Sequence, residues 1–381
     1  MRDLVAAAPA GRAVPLGGAR RDAVLLLGVA ALLVLFGLLM VYSASSFLAQ
    51  ARGWPDHYYL QRQAVRALVG LVALFVCARV DYRVWARFAW PLVGLAALAL
   101  VVVVAPGTEP IAPVRNGARR WLELGVTVQP SEFARWAAVL WTAWLAARKG
   151  ERIRSLRWGL LPFVCVLGVL MFLVLIEPDL SGAALLGFVC GIVLFTAGAR
   201  IGHFLLLGGV GAWVLWDRIT DVAYRLARVV AFYDAQADPA GAGYQLQQSL
   251  IAIGSGGPLG VGYGESMQKF YFLPEPHNDF IFAIIGEEWG FAGSAVVLLA
   301  VAGYATAGFR LARRAPDAFG FLLGVGMTSL VVVPALVHVA VAMGVLPTAG
   351  VTLPFVSYGG SNLVVSLAAT GILLNIGSGR G

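Results

Sequence analysis

Runs of apolar sequence with few or no charges recur along this chain, and they limit what it can fold into. From Ala23 to Tyr42 there is not one charged side chain, and about 20 apolar residues in helical form cross the hydrocarbon of a bilayer. Comparable runs predict helices over roughly 64–79, 88–105, 131–147, 158–176, 180–199, 201–216, 280–309, 319–344 and 351–376. A soluble protein of this length can bury a few such helices, not a whole series. Hydrophobic residues make up 60% of the chain, against about 45–50% in a soluble domain. The expected fold is an all-α, polytopic transmembrane bundle of about ten helices, with a large exoplasmic loop between helices 7 and 8.

The division that follows is a cytoplasmic N-terminal tail over 1–22, an integral membrane domain over 23–376 with its long loop at about 217–278, and a short cytoplasmic tail over 377–381. The first run is longer than the apolar segment of a signal peptide, about 7–15 residues, and has no clear Ala-x-Ala cleavage site, so it reads as a retained span. The formal net charge of +8 is explained by topology. Clusters at Arg79–Arg87, Arg148–Arg157, Arg200 and Arg310–Arg314 fall on one side, and the positive-inside rule then sets both termini in the cytoplasm. Nucleic acid is excluded as a partner, because no soluble module carries a basic stripe with interleaved aromatics. Cys77, Cys165 and Cys190 lie in apolar segments without paired spacing, and the four histidines are scattered; neither set predicts a disulfide framework or a metal site.

Chemistry-bearing residues gather at the span edges and in the loops. Asp279 stands where the long loop re-enters apolar sequence. A carboxylate there suits a general base, because partial desolvation raises its pKa; it equally suits a helix N-cap. Glu287 and Glu288 lie deeper in the same span and project about 100° apart on a helix, so they cannot work as a pair on one face. A structural or cavity-lining role fits them best. Glu132 and Arg135 open the fourth span at i, i+3 spacing, either as a neutralised ion pair or as the wall of a cavity. The glycines from Gly254 to Gly264 lack the ending of a nucleotide-binding loop and suit tight turns and close backbone packing. Helix breaks are expected over Glu177–Gly182 and Gly350–Ser361, where freed backbone groups need a polar, protein-lined setting.

Taken in order, Tyr42–Ser45, Gln129–Glu132, Glu177–Gly182, Gly243–Glu288 and Thr352–Ser361 resemble the SEDS family (shape, elongation, division and sporulation proteins) of bacterial peptidoglycan polymerases. The likeness covers nearly the whole chain after the first 20 residues and is nearer the division branch than the elongation branch. Departures are small: Asn278 stands where Thr is common, Trp289 where Leu is, and Asn362 where Ser is.

The resemblance implies a peptidoglycan glycosyltransferase that polymerises lipid II with inversion at the donor sugar and undecaprenyl pyrophosphate as leaving group. It implies a multi-pass protein of the bacterial inner membrane, at the division septum, with an elongation role as the variant reading. The family's essential aspartate matches Asp279. Its loop tryptophan matches Trp121, which would stack on sugar or lipid, and its intramembrane acid–base pair matches Glu132 and Arg135. Pyrophosphate needs charge stabilisation and no proton donor, a task for Arg119, Arg120 and Lys269, with Arg225 or Arg228 as further candidates. A divalent cation, Mg or Mn, is the other source of that charge, and lipid head-group anchoring is the competing use of the arginines. Ser357, in the last motif, is counted among the substrate-contacting residues. The implied partners are lipid II, a class B penicillin-binding protein that crosslinks the product, other division-site membrane proteins and the membrane itself. A lipid II flippase and a non-catalytic scaffold are the alternative functions.

Overall fold

The computed structural model describes residues 16–114, 118–123, 125, 127–220, 223–234 and 241–378. Ten helices answer to the ten expected spans: α1 (Leu16–Ala51), α2 (Tyr58–Arg79), then, after the short α3 (Tyr82–Arg87), α4 (Ala89–Val104), α5 (Pro130–Lys149), α6 (Leu161–Ile176), α7 (Leu180–Thr196) and α8 (Ile201–Thr220). The series resumes, after α9 (Ala223–Tyr233) and α10 (Ala242–Ser255), with α11 (Ile281–Ala312), α12 (Ala318–Ala342) and α13 (Gly360–Gly377). Six described helices are long and apolar enough to cross a membrane, those of α1, α2, α6, α11, α12 and α13, and three shorter apolar ones lie in α4, α7 and α8. The remaining span, α5, carries Glu132 and Arg135 and is buried on most of its surface.

Burial shows why this is a membrane protein. On α2 the buried residues Tyr59, Gln63, Ala67, Gly70 and Cys77 form a single helical stripe. The opposite face exposes Val65, Leu68, Val69, Val72 and Phe75. So large an apolar surface would aggregate in water and is at home in lipid. Cys165 also faces outward, while Cys77 and Cys190 are buried. At the centre stand α5 and α12, buried along most of their length. The fold is a polytopic helical bundle, and the chain is a multi-pass membrane protein.

Three departures from the hydropathy reading shape the site. The long loop contains α9 and α10, which are too short or too amphipathic to register as spans. The last span starts at Gly360, because the segment before it runs as irregular backbone through Pro354, with Leu353, Phe355 and Val356 buried in the bundle. The span at α11 is broken: Gly290 has φ 64°, and the peptide groups around the break find partners in the glycine-rich loop. Val261 and Gly262 donate N–H bonds to the carbonyls of Glu287 and Glu288 at 3.0 and 3.1 Å, and Phe291 N–H bonds the Gly257 carbonyl at 2.9 Å. Only glycine permits the approach, since a β-carbon on Gly256 would stand 1.9 Å from the Gly286 carbonyl oxygen and one on Gly260 2.1 Å from that of Glu288. The glycines serve backbone packing, as their sequence context predicts.

Candidate active site

Asp279 is set by two strips of irregular backbone that cross just before α11. A turn brings the Asn278 and Asp279 N–H groups onto the Glu275 carbonyl at 3.1 and 3.2 Å. The Gly350–Gly359 segment then locks it from the side. Tyr358 N–H donates to the His277 carbonyl at 2.9 Å. Ser357 Oγ donates to the Asn278 carbonyl at 2.7 Å and accepts from Leu353 N–H at 2.8 Å. Gln63 of α2 reaches in to the Ser357 carbonyl at 3.0 Å. Beside this lock the buried His277 ring lies 4.9 Å from Tyr59 and 5.5 Å from Tyr358. Burial first, and then the charge of Arg52, hold its pKa down to about 4, so the imidazole is neutral.

The Asp279 side chain does not cap α11, whose N-cap position is Phe280. It is half-buried, and among the described residues no side chain donates a hydrogen bond to it. Its pKa is pushed up to about 7, chiefly by burial and then by Glu275, against the smaller opposing pull of Arg228 and Arg120. Asp279 therefore combines enclosure with access, and can take a proton near neutral pH.

Next to it is a small polar cleft lined by Gln129, Glu132, Arg135, Asp179, Gly350 and Asn362 among others. Gly350 joins the two: a β-carbon there would sit 3.4 Å from Asp279 Oδ2. Both readings of the Glu132–Arg135 pair hold at once. The ions meet at 2.9 Å, both are buried, and both line the cleft. Asn362 donates to the other Glu132 oxygen at 3.4 Å, and Arg135 Nε has no hydrogen-bond partner among the described residues. Asp179 on the far wall caps α7 by accepting from Gly182 N–H at 2.8 Å.

The expected cations divide. Arg120 lies within electrostatic reach of Asp279, and its guanidinium binds the carbonyls of Glu177 (3.0 Å) and Pro178 (2.5 Å). It so holds the turn that leads into Asp179. Half-buried Trp121 follows it. Arg119 points elsewhere, to the Ala105 and Ala112 carbonyls, Thr108 and Glu109, and braces its own loop. Arg228 acts on Asp279 through its charge. Arg115 lies outside the described residues, as does the side chain of Arg225.

Lys269 is not at the cleft. It pairs with Glu288 at 3.2 Å, with both side chains buried, and donates to Ser43 of α1 (3.4 Å) and to the Gly264 carbonyl. Ser43 Oγ completes the knot by donating to Glu288 at 2.5 Å. Glu287 turns the other way and accepts from Ser266 Oγ (2.5 Å) and Met267 N–H (2.9 Å). The adjacent glutamates thus fasten the long loop in two directions. No group of three or more His, Cys, Asp or Glu placed to hold a metal ion occurs among the described residues.

Gln63, Gly350 and Asn362 escaped the sequence reading as site residues. Gln63 carried a usable signal, since a polar side chain within an apolar span is costly unless it has a partner.

A polytopic bundle enclosing a polar cleft, with a carboxylate at its edge that is proton-accepting near neutrality, has the makings of a membrane-embedded enzyme. Residues 23–380 match the family model described as cell cycle protein, that of FtsW, RodA and SpoVE, and the chain belongs to this family. It is 44% identical to the "Probable peptidoglycan glycosyltransferase FtsW" of Trichlorobacter lovleyi, over 95% of this chain and 94% of the relative. It is 38% identical to the stage V sporulation protein E of Bacillus subtilis, over 92% and 96%. Among solved structures, a chain from a peptidoglycan synthase complex that coordinates polymerization and crosslinking superposes with a TM-score of 0.76 at 29% identity, covering 92% of this chain and 96% of that one. The rod shape determining protein RodA of Thermus thermophilus gives 0.68 at 28% identity, covering 93% and 96%.

Proposed function

We propose that this protein is a peptidoglycan glycosyltransferase that polymerises lipid II, with Asp279 as its general base. In the step, the acceptor's sugar hydroxyl oxygen attacks the anomeric carbon of the donor. The carbon–oxygen bond to undecaprenyl pyrophosphate breaks with inversion, its electron pair leaves with the pyrophosphate, and the hydroxyl proton passes to Asp279. The observation that carries this reading is the state of Asp279: half-buried, without a hydrogen-bond donor among the described side chains, and with its pKa raised to about 7 beside a polar cleft. One carboxyl group suffices, because pyrophosphate leaves without being protonated, unlike the sugar alkoxide of glycoside hydrolysis.

Arg228 and, more weakly, Arg120 are the candidates for stabilising the pyrophosphate, since both act electrostatically on Asp279. Glu132 and Arg135 polarise the cleft wall, and Trp121 offers a stacking face. Ser357 belongs beneath the base, fixing Asn278. The proposed setting is the inner membrane of a bacterium at the division septum, both termini in the cytoplasm and Asp279 at the outer face. A class B penicillin-binding protein would crosslink the product alongside other division proteins. The relatives named FtsW favour division over elongation.

The test is polymerisation of purified lipid II by the full-length protein with its transpeptidase partner. Wild type is expected to make glycan strands and folded Asp279→Ala none. Lipid II translocation without polymer would instead favour a flippase, and normal division supported by Asp279→Ala would favour a scaffold.

A further inference from the structure

The connector from α5 to α6 lies at the bundle end opposite Asp279. Helix α5 begins at the cleft with Glu132, and α6 runs back to Glu177, beside the anchor of Arg120. Residues 148–158 carry five basic side chains, Arg148, Lys149, Arg152, Arg154 and Arg157, against a single acid, Glu151.

This connector is folded into a fixed shape. Ile153 is only 1% exposed and pins it to the bundle. Ser155 Oγ accepts from the N–H groups of Trp158 (3.2 Å) and Gly159 (3.0 Å), and the Lys149 ammonium donates to the Trp158 carbonyl. The frame turns Arg152, Arg154 and Arg157 outward around Trp158, which is 71% exposed, with Leu156 and Leu161 exposed beside it.

Other arginines at this end are matched with carboxylates inside the protein. Arg314 meets Asp22 at 2.8 Å, Arg310 meets it at 3.6 Å, and Arg83 meets Asp317 at 3.1 Å. Among the described residues, none of the four connector arginines has such a partner. Cations held close together without a counter-ion repel one another, and an anion supplied from outside removes that cost. The exposed tryptophan and leucines say which anion, because they need an apolar contact that a free ion does not provide. Tryptophan favours the level of lipid head groups, and juxtamembrane basic clusters are drawn to anionic lipid.

We propose that the α5–α6 connector is a binding site for anionic phospholipid. Arg152, Arg154 and Arg157 receive the head-group phosphate, Trp158 sits at the head-group level, and Leu156 and Leu161 meet the acyl chains. The site is independent of the reaction assigned to Asp279, and its test needs no turnover.

The full-length protein is reconstituted in phosphatidylcholine nanodiscs that contain either brominated phosphatidylglycerol or, at equal content, brominated phosphatidylcholine. Subtracting the Trp158→Phe signal isolates Trp158 fluorescence. The expected result is quenching several-fold stronger by the brominated anionic lipid. The preference should vanish in Arg152→Gln/Arg154→Gln/Arg157→Gln and return in the corresponding triple lysine variant, which separates charge from folding. Equal quenching by both lipids in the wild type would overturn the proposal. So would a preference that survives the glutamine substitutions, or one abolished by millimolar inorganic phosphate, which would mark a site for the free anion.

Discussion

Gly350 and Asp279 are neighbours across the rim of the cleft, so close that a β-carbon on Gly350 would stand 3.4 Å from Asp279 Oδ2. That distance is ordinary contact for one methyl group, and a branched side chain adds γ-carbons beside the carboxylate. Gly350→Ala is therefore expected to retain most activity. Gly350→Val should press on the carboxylate and lower the polymerisation rate about 100-fold, the scale of a misplacement of about 1 Å at a reacting centre. Initial rates on lipid II, with circular dichroism to verify folding, distinguish the two substitutions.

Ser357 holds the strip that ends in Asp279. Its hydroxyl bonds both the Asn278 carbonyl and the Leu353 N–H, and each such bond contributes about 1 kcal/mol to stability. Ser357→Ala should lower thermal stability by roughly that amount per bond and reduce the rate by about 10-fold or more through misplacement of Asp279. Ser357→Thr keeps the hydroxyl and should recover part of the loss. A rise in KM alone, with the maximal rate unchanged, would instead mark Ser357 as a substrate contact.

Lys269 tests the same distinction from the other side. Its buried pair with Glu288 makes removal of one partner costly, because an uncompensated charge remains, about 3–5 kcal/mol for such pairs. Lys269→Met is expected to unfold at a markedly lower temperature, and the double change Lys269→Met/Glu288→Leu to regain much of the loss. Thermal unfolding in detergent gives the answer. Full stability of Lys269→Met combined with lost lipid II binding would return this residue to the substrate site.

These residues also show how far the sequence could be read. The spans were legible because uncharged runs have one favourable place in a cell, and Asp279, Glu132 and Arg135 stood out as charges at or inside those runs. Hydropathy missed α9 and α10, whose polar faces dilute the apolar signal, and the break at Gly290, where the surrounding sequence stays apolar. Lys269 looked like a phosphate ligand because its charge is visible and its direction is not. Its partners, Glu288 and Ser43, lie 19 and 226 residues away, and only the docking of the glycine-rich loop beside α1 brings them together. The arginines illustrate the same limit: Arg119 and Arg120 are adjacent in sequence, yet one braces its own loop and the other anchors the distant turn before Asp179, within electrostatic reach of Asp279.

The role of Asp279 is decided by how lipid II polymerisation depends on pH. A general base works in its ionised form, so activity should rise with pH through the pKa of Asp279 and fall as the carboxylate is protonated. With that pKa raised from 3.8 to about 7, substantial loss is expected between about pH 7.5 and 6, under conditions where the protein remains folded. Asp279→Glu should keep an acid limb and Asp279→Asn should show no activity at any pH. A wild-type rate that stays flat down to about pH 4, near the range of an unperturbed aspartate, would contradict the assignment of Asp279 as the base.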